Sequence, residues 1–112
     1  MNGSIVASRQ VEIAADHPAF DGHFPGQPML PGVALLAEVL EAALRVPALA
    51  ACIGIEPHLA VVKFLAPVGP GTTLAIDFRL GARVLEWRVA TGARDVASGQ
   101  IARADLGAAS PP

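Results

Sequence analysis

The feature that most constrains the fold is a segment of helical length that is apolar on nearly every side. Residues 32–45 read GVALLAEVLEAALR, and their leucines and valines cannot share one narrow stripe of a helix. A helix of this kind is buried in a core or in an interface and is not laid on a surface. Pro31 stands near its start, where a missing N–H costs nothing, and Pro47 is predicted to end it.

Short segments of strand character surround this helix. One precedes it, and four follow it, at residues 5–14, 59–66, 73–80, 85–89 and 96–104. In the third of these segments Leu, Ile or Phe occupies every second position, which is the pattern of a half-buried strand. Short strands joined by tight turns predict an antiparallel sheet. One long helix and one such sheet predict an α+β fold in which the helix packs on the sheet.

The length of 112 residues leaves room for one domain, which we place at residues 1–105. The tail from residue 106 onwards, LGAASPP, is small and proline-ended and is predicted to be disordered. Cys52, the one cysteine, lies in an apolar setting and is predicted to be a small buried hydrophobe.

The composition limits the classes of partner that the chain is expected to bind. A hydrophobic content of 53% is high for a small domain and indicates that some apolar surface is buried against a partner. The formal net charge is -2 and no basic stripe is present, which argues against nucleic acid. The first residues lack the pattern of a signal peptide, and no apolar run is long enough to span a bilayer, so we expect a cytoplasmic protein.

A stiff loop joins the first strand to the helix. Residues 17–31 read HPAFDGHFPGQPMLP, and their four prolines and two glycines cannot continue a helix or a central strand. Each proline fixes its own φ and restricts the residue before it, so such a loop can hold a side chain in a fixed place. His23 suits a general base because imidazole titrates near neutral pH. The alternative is a histidine that only hydrogen-bonds its own loop.

Residues 22–32, GHFPGQPMLPG, resemble the signature of the β-hydroxyacyl-acyl-carrier-protein dehydratases, a His-Phe-Pro-Gly-x-Pro-x-x-Pro-Gly-Val stretch leading into a central helix. Every fixed element is present, from His23 to Val33. Residues 63–71, KFLAPVGPG, resemble the strand and turn that the family has at the same stage. The resemblance covers about residues 11–104, and the run Pro-Gly-Val-Ala-Leu-Leu is similar to the branch that acts in aryl-polyene and related acyl pathways.

The resemblance implies a hot-dog fold, an antiparallel sheet wrapped around one long central helix. It implies dimers whose sheets join edge to edge, with an acyl tunnel and a composite site at the interface. The implied reaction removes water from a 3-hydroxyacyl thioester, delivered by acyl carrier protein, and gives a trans-2-enoyl thioester. No metal and no organic cofactor takes part in it. The expected dimer partner is a second copy or another dehydratase-like chain.

Candidate site residues follow from the motif. His23 is the expected base. The backbone N–H groups of Gly32 and Val33 begin the helix, lack intrahelical partners and lie at its positive end. In the family this end holds the thioester carbonyl, although Gly32 could also serve close packing alone. Pro31 and Phe24 are further candidates for substrate binding, with Phe24 lining an acyl tunnel or simply filling the core.

The carboxylate position departs from the family pattern. Counted from His23, the family's Glu or Asp falls on Ala37, which has no proton to give. Glu41 lies one turn further on, roughly on the same face, and Glu38 about 100° round the helix, so both are candidate acids and Glu41 has the better direction. The alternative is a solvated charged stripe, because Glu41 and Arg45 form a favourable i,i+4 pair.

Three functions are compatible with this pattern. The first is an active dehydratase in which another acid replaces the residue missing at Ala37. The second is a non-catalytic acyl-binding subunit, or one half of a mixed dimer in which this chain supplies His23 and the partner supplies the carboxylate. The third is a hot-dog thioesterase, which the His-Phe-Pro-Gly loop disfavours. His17 and Asp16 resemble the turn before the family motif, and we assign them no chemical role.

Overall fold

The computed structural model describes residues 5–20 and 29–106. A sheet is formed by the strands β1 (Ile5–Glu12), β2 (Leu59–Phe64), β3 (Thr73–Leu80), β4 (Val84–Thr91) and β5 (Arg94–Ala102). Two helices, α1 (Gly32–Leu44) and α2 (Pro47–Ile53), stand between β1 and β2, and a 3-10 turn (Pro18–Phe20) follows β1. The predicted α+β class and the antiparallel sheet are confirmed, with strand ends that differ from the sequence prediction by no more than two residues.

The sheet has the strand order β1-β3-β4-β5-β2, and each neighbouring pair is antiparallel. Side chains alternate between the two faces of a strand, so Ile76 and Phe78 of β3 are buried while Asp77 between them is half-buried. Across the strands, Phe78 stands opposite Trp87, and Trp87 stands opposite Gly99. The alternation seen in the sequence therefore gives one apolar face and one polar face.

The core lies between α1 and the apolar face of the sheet. The helix contributes Leu35, Val39 and Ala43, all buried, because residues three and four apart share one side of a helix. They belong to the same hydrophobic cluster as the buried residues of the sheet, which include Leu74, Ile76, Phe78, Leu85, Trp87, Val89 and Ile101. The prediction that Cys52 is a buried hydrophobe is confirmed as well.

The predicted central helix is present as α1, but a second short helix, α2, which the sequence analysis did not predict, follows it. α1 ends at Leu44, and Pro47 begins α2 instead of only ending the first helix. Val46 has an extended conformation (φ −104°, ψ 109°) because a residue before proline is pushed out of the helical region. Proline is well suited to the first position of a helix, so the same residue breaks one helix and starts the next. Neither helix of the described chain is long and apolar enough to cross a membrane.

The end of β5 is fastened to the rest of the domain. The Ala104 N–H donates to the Cys52 carbonyl (2.6 Å), and the Arg103 guanidinium donates to the Asp105 carboxylate (2.9 and 3.0 Å) and to the Gly81 carbonyl (3.0 Å). The hydrogen bond from Arg103 lowers the pKa of Asp105, and burial together with the nearby Asp105 raises the pKa of the Cys52 thiol. Beyond this point only Leu106 of the predicted tail is described, and residues 107–112 lie outside the described chain.

Strands β1 and β2 form the two edges of the sheet. β2 is hydrogen-bonded to β5 on one side, and no strand of the described chain pairs with its other side. Leu59, Val61 and Phe64 of β2 are exposed, and so is Leu65 directly after it. Unpaired backbone groups next to exposed apolar side chains make this edge suited to pairing with another chain.

Candidate functional site

The N-terminus of α1 has backbone donors that find no partner among the described residues. Pro31 is the extended N-cap residue (φ −61°, ψ 149°), and its carbonyl accepts the N–H groups of Ala34 (3.0 Å) and Leu35 (3.1 Å). The N–H groups of Gly32 and Val33 have no partner among the described residues, no side chain caps the helix, and its first turn holds no acidic residue. This end therefore keeps the partial positive charge of the helix dipole, which suits a developing negative charge on a ligand oxygen.

Phe64 covers this helix terminus. Its ring lies so close to Gly32 that a Cβ atom on the glycine would stand 2.8 Å from the ring Cζ. The ring is 53% exposed, and Val33 beside Gly32 is 78% exposed. The proposed carbonyl site is thus bordered by apolar groups and lies next to the free edge of β2. Gly32 is closely packed against Phe64, which agrees with the packing role that the sequence analysis gave as the alternative for this glycine.

His23 and Phe24 lie in residues 21–28, outside the described chain, so their roles stay predictions. The chain on either side of this segment is well anchored. Phe20 is buried before it, and after it Leu30 is buried and donates its N–H to the Val68 carbonyl (2.7 Å).

The outer ridge of α1, defined by Val33, Ala37, Glu41 and Leu44, is exposed. It lies on the side of the helix away from the buried residues, because these positions recur at spacings of three and four. Ala37 therefore faces outwards, and a longer side chain at this position would have room.

Glu41 lies on the outer ridge and is 65% exposed. Its Oε1 accepts a hydrogen bond from Arg45 Nη2 at 3.1 Å, so the i,i+4 pair predicted from the sequence is confirmed. Glu38 points to a different neighbour: its Oε2 lies 3.5 Å from His17 Nε2. Both glutamates line a groove between α1 and β1, at the opposite edge of the sheet from Phe64. Their role as acids stays a prediction.

Two contacts were missed from the sequence. The register of β2 brings Phe64 to Gly32, and the 3-10 turn brings His17 to Glu38, and neither register nor turn direction can be read from residue types. The only hint for Phe64 was its place in the KFLAPVGPG stretch that resembles the family. The only hint for His17 was its place in the His-Pro turn before the motif.

A groove of about 230 Å³ on the polar face of the sheet is lined by Asp77, Arg79, Glu86 and Arg88 among others, and it does not reach α1. Within residues 5–20 and 29–106 no group of three or more His, Cys, Asp or Glu side chains is arranged to hold a metal ion.

A five-stranded antiparallel sheet of this order, packed on α1, defines a protein of the hot-dog fold class. The model of the ApeI-like family, described as ApeI dehydratase, matches residues 3–100. The chain therefore belongs to the ApeI-like family, and the resemblance predicted from the sequence is confirmed, including its branch.

Among curated relatives, the 3-hydroxyacyl-[acyl-carrier-protein] dehydratase FabZ of Fusobacterium nucleatum subsp. nucleatum is 36% identical over 90 residues, which cover 78% of this chain and 63% of the relative. The chain spans about half to two thirds of the length of the first curated relatives that it matches. The activity, substrates and partners of those proteins therefore come to this chain only as proposals.

Solved structures agree with the fold. A chain of the dehydratase heterocomplex ApeI:P from Xenorhabdus doucetiae superimposes with a TM-score of 0.69 at 25% identity, covering 92% of this chain and 98% of that one. The fluoroacetyl-CoA thioesterase FlK (TM-score 0.60, 17% identity, 99% and 98% covered) and a hot-dog-like protein from Thermanaerovibrio acidaminovorans (TM-score 0.58, 16% identity, 93% and 87% covered) share the fold alone.

Proposed function

We propose that this protein removes water from 3-hydroxyacyl thioesters carried on acyl carrier protein and forms trans-2-enoyl thioesters. The observation that carries the proposal is the open N-terminus of α1, where the N–H groups of Gly32 and Val33 lack described partners directly after the His23 motif. Membership of the ApeI-like family and the likeness to FabZ dehydratases support this reaction over others that the fold can host.

The reaction needs a base, an acid and a site for negative charge. In the proposal His23 takes a proton from the α-carbon, and the thioester oxygen becomes negative as the enolate forms. The N–H groups of Gly32 and Val33 stabilise that oxygen. An acid then gives a proton to the β-hydroxyl, which leaves as water while the double bond forms. Pro31 and Phe24 border the acyl thioester in this account, and no cofactor is required.

The source of the acid separates two versions of the proposal. Within this chain Glu41 is the first candidate and Glu38 the second, and each would have to leave its present neighbour, Arg45 or His17. In the second version the chain is the partner subunit of a mixed dimer, and the other chain supplies the carboxylate. The outward-facing Ala37 favours this version. Its small side chain leaves space on the outer ridge for a carboxylate side chain that a partner would supply. The ApeI:P structure, which is described as a dehydratase heterocomplex, supports an assembly of unlike chains.

The β2 edge is the surface that we propose for dimerisation. Phe64 and Leu65 at its end, together with Val33 on the outer ridge, form an exposed apolar area beside an unpaired strand edge. Pairing this edge with the same edge of a second chain would extend the sheet and would bring the second chain close to Gly32. A second copy of this chain or a similar chain could extend the sheet at this edge. The β2 edge is therefore compatible with a homodimer and with a mixed dimer.

The proposal also includes the setting of the reaction. We place the protein in the cytoplasm, with an acyl carrier protein as the substrate carrier, in fatty-acid-like or polyene synthesis. The branch of the family that matches, described as ApeI dehydratase, supports the polyene setting.

The experiment that tests the function uses the purified chain with 3-hydroxybutyryl and longer 3-hydroxyacyl carrier-protein thioesters. Loss of water is followed by the mass of the carrier protein, and release of the free thiol is followed in parallel. The proposal expects the dehydrated thioester without thiol release, from this chain alone or after addition of a second dehydratase-like chain. Thiol release without dehydration would instead identify a thioesterase.

A further inference from the structure

His17 and Glu38 form a contact that the proposed mechanism does not use. His17 Nε2 lies 3.5 Å from Glu38 Oε2, and the two side chains are 28% and 24% exposed. The other ring nitrogen, Nδ1, accepts the Ala19 N–H at 3.0 Å. A neutral imidazole with Nδ1 as acceptor carries its proton on Nε2, the ring nitrogen that is nearer to the Glu38 carboxylate.

His17 is itself held in place by the turn around it. Its N–H donates to the Ala14 carbonyl (3.1 Å), and its own carbonyl accepts the Phe20 N–H (3.0 Å). The Phe20 side chain is buried, and its ring meets the imidazole edge-on at a centroid distance of 6.2 Å. These contacts hold the imidazole ring of His17 in a fixed position relative to the turn.

This turn is the last described part of the chain before the segment that carries His23, six residues after His17. The far end of the segment is fixed separately, by the Leu30 N–H on the Val68 carbonyl. Glu38 belongs to α1, whose first turn offers the N–H groups of the proposed thioester site. The contact between His17 and Glu38 thus joins the element before the base to the helix that binds the substrate.

We infer that His17 and Glu38 are a positioning pair, which holds the entry to the His23 loop in register with the N-terminus of α1. The inference rests on the proposed function, and it gives Glu38 a role through His17 and not as the proton donor. Displacing a reacting group by about 1 Å can lower the reaction rate about 100-fold. Loss of a weak contact at this place can therefore lower kcat. The two side chains still reach the solvent and are held at 3.5 Å, so their contact contributes little to global stability and its loss should leave the fold intact.

Kinetics of four variants test the inference. Glu38→Ala and His17→Ala should each lower kcat about tenfold or more with little change in KM. The double variant should be no slower than either single variant, because both remove the same contact. Glu38→Gln keeps a polar oxygen beside His17 Nε2 but cannot donate a carboxylic proton, and it should lose clearly less activity than Glu38→Ala. If Glu38→Gln loses as much as Glu38→Ala, or if the single losses multiply, the inference is overturned.

A second measurement does not depend on activity and therefore separates this inference from the proposed function. Amide hydrogen exchange is compared in wild type and Glu38→Ala at Ala19 and Phe20, whose N–H groups bond His17. Faster exchange at both, with unchanged exchange at the central strand residue Ile76, supports the pair even if the chain shows no turnover. Unchanged exchange at Ala19 and Phe20 overturns it.

The matched control is Ser8→Ala, which removes the hydrogen bond from Ser8 Oγ to Asp77 Oδ1 (2.7 Å) between β1 and β3. It also deletes one exposed polar contact, but it touches neither the turn nor α1. Its kcat and its exchange at Ala19 and Phe20 should equal those of wild type. A loss as large as that of His17→Ala would mean that general loosening, and not the pair, lowers the rate, and would overturn the inference.

Discussion

The ring of Phe64 lies against Gly32, so that the edge strand β2 covers the first residue of α1. A methyl group on Gly32 would stand 2.8 to 3.2 Å from three atoms at the far end of the ring. The glycine thus leaves space for a ring that is distant in sequence, at the first turn of the helix. The N-terminus of α1 therefore lies next to the edge strand β2 and to the exposed apolar side chains of Phe64 and Val33.

The first prediction concerns this contact. Gly32→Ala should be less destabilising by about 1 kcal/mol in a Phe64→Leu background than in wild type, because leucine lacks the ring atoms that the new methyl group would meet. Urea unfolding of the two single variants and the double variant gives this coupling energy. Equal costs of Gly32→Ala in the two backgrounds would show that the ring does not restrict this position.

The second prediction concerns Gly99, opposite Trp87 in the sheet. A Cβ atom on Gly99 would collide with the indole ring and also with the backbone carbonyl of Val61, which cannot move aside as a side chain end can. Gly99→Ala should therefore cost about 2 kcal/mol or more of unfolding free energy. Gly69→Ala is the matched control, since nothing lies within 4 Å of its Cβ position, and it should change stability by no more than ~0.5 kcal/mol. Equal stability of the two variants would contradict the packing described here.

The sequence predicted the sheet and α1 because hydrophobic alternation and the flanking prolines report burial directly. The sequence analysis did not predict α2, because Pro47 can end one helix or begin the next. The second helix is stabilised by the burial of Leu49 and Ile53, which the residue types alone do not reveal. At the candidate site, the sequence predicted the start of the helix at Gly32, and the roles of the site residues stay predictions. The contacts of Phe64 and of His17 depend on strand register and on the direction of a turn, which are set by tertiary packing.

The third prediction concerns the β2 edge. Leu65→Asp places a carboxylate in the proposed dimer surface, where leucine is now 57% exposed. It should weaken dimerisation at least tenfold in sedimentation velocity, since burying an unpaired charge costs well over ~1.4 kcal/mol. Ile55→Asp makes the same change at a fully exposed residue in the loop after α2 and should leave the dimer intact. A stable dimer in both variants would place the interface elsewhere.

The fourth prediction concerns the missing carboxylate. Ala37 is exposed on the outer ridge, so Glu can be accommodated there without disturbing the core. If the acid limits the reaction of this chain alone, Ala37→Glu should raise kcat at least ~10-fold, since general acid catalysis contributes about 10²–10⁴. Ala37→Gln has the same shape without the acid and should give no gain. An equal response of the two variants would show that the carboxylate is not the limiting group.

The most direct test of the central claim is the hydration of crotonyl and longer enoyl carrier-protein thioesters, the reverse of the proposed reaction, by wild type and His23→Ala. Each protein is measured alone and with a dehydratase-like partner chain, and circular dichroism confirms that the variant is folded. The account predicts turnover by wild type in one of these settings and a loss of at least ~100-fold in kcat/KM in the variant, the scale of removing a general base. Equal turnover by the two proteins would contradict the assignment of His23, and no turnover in any setting would contradict the proposed dehydratase function.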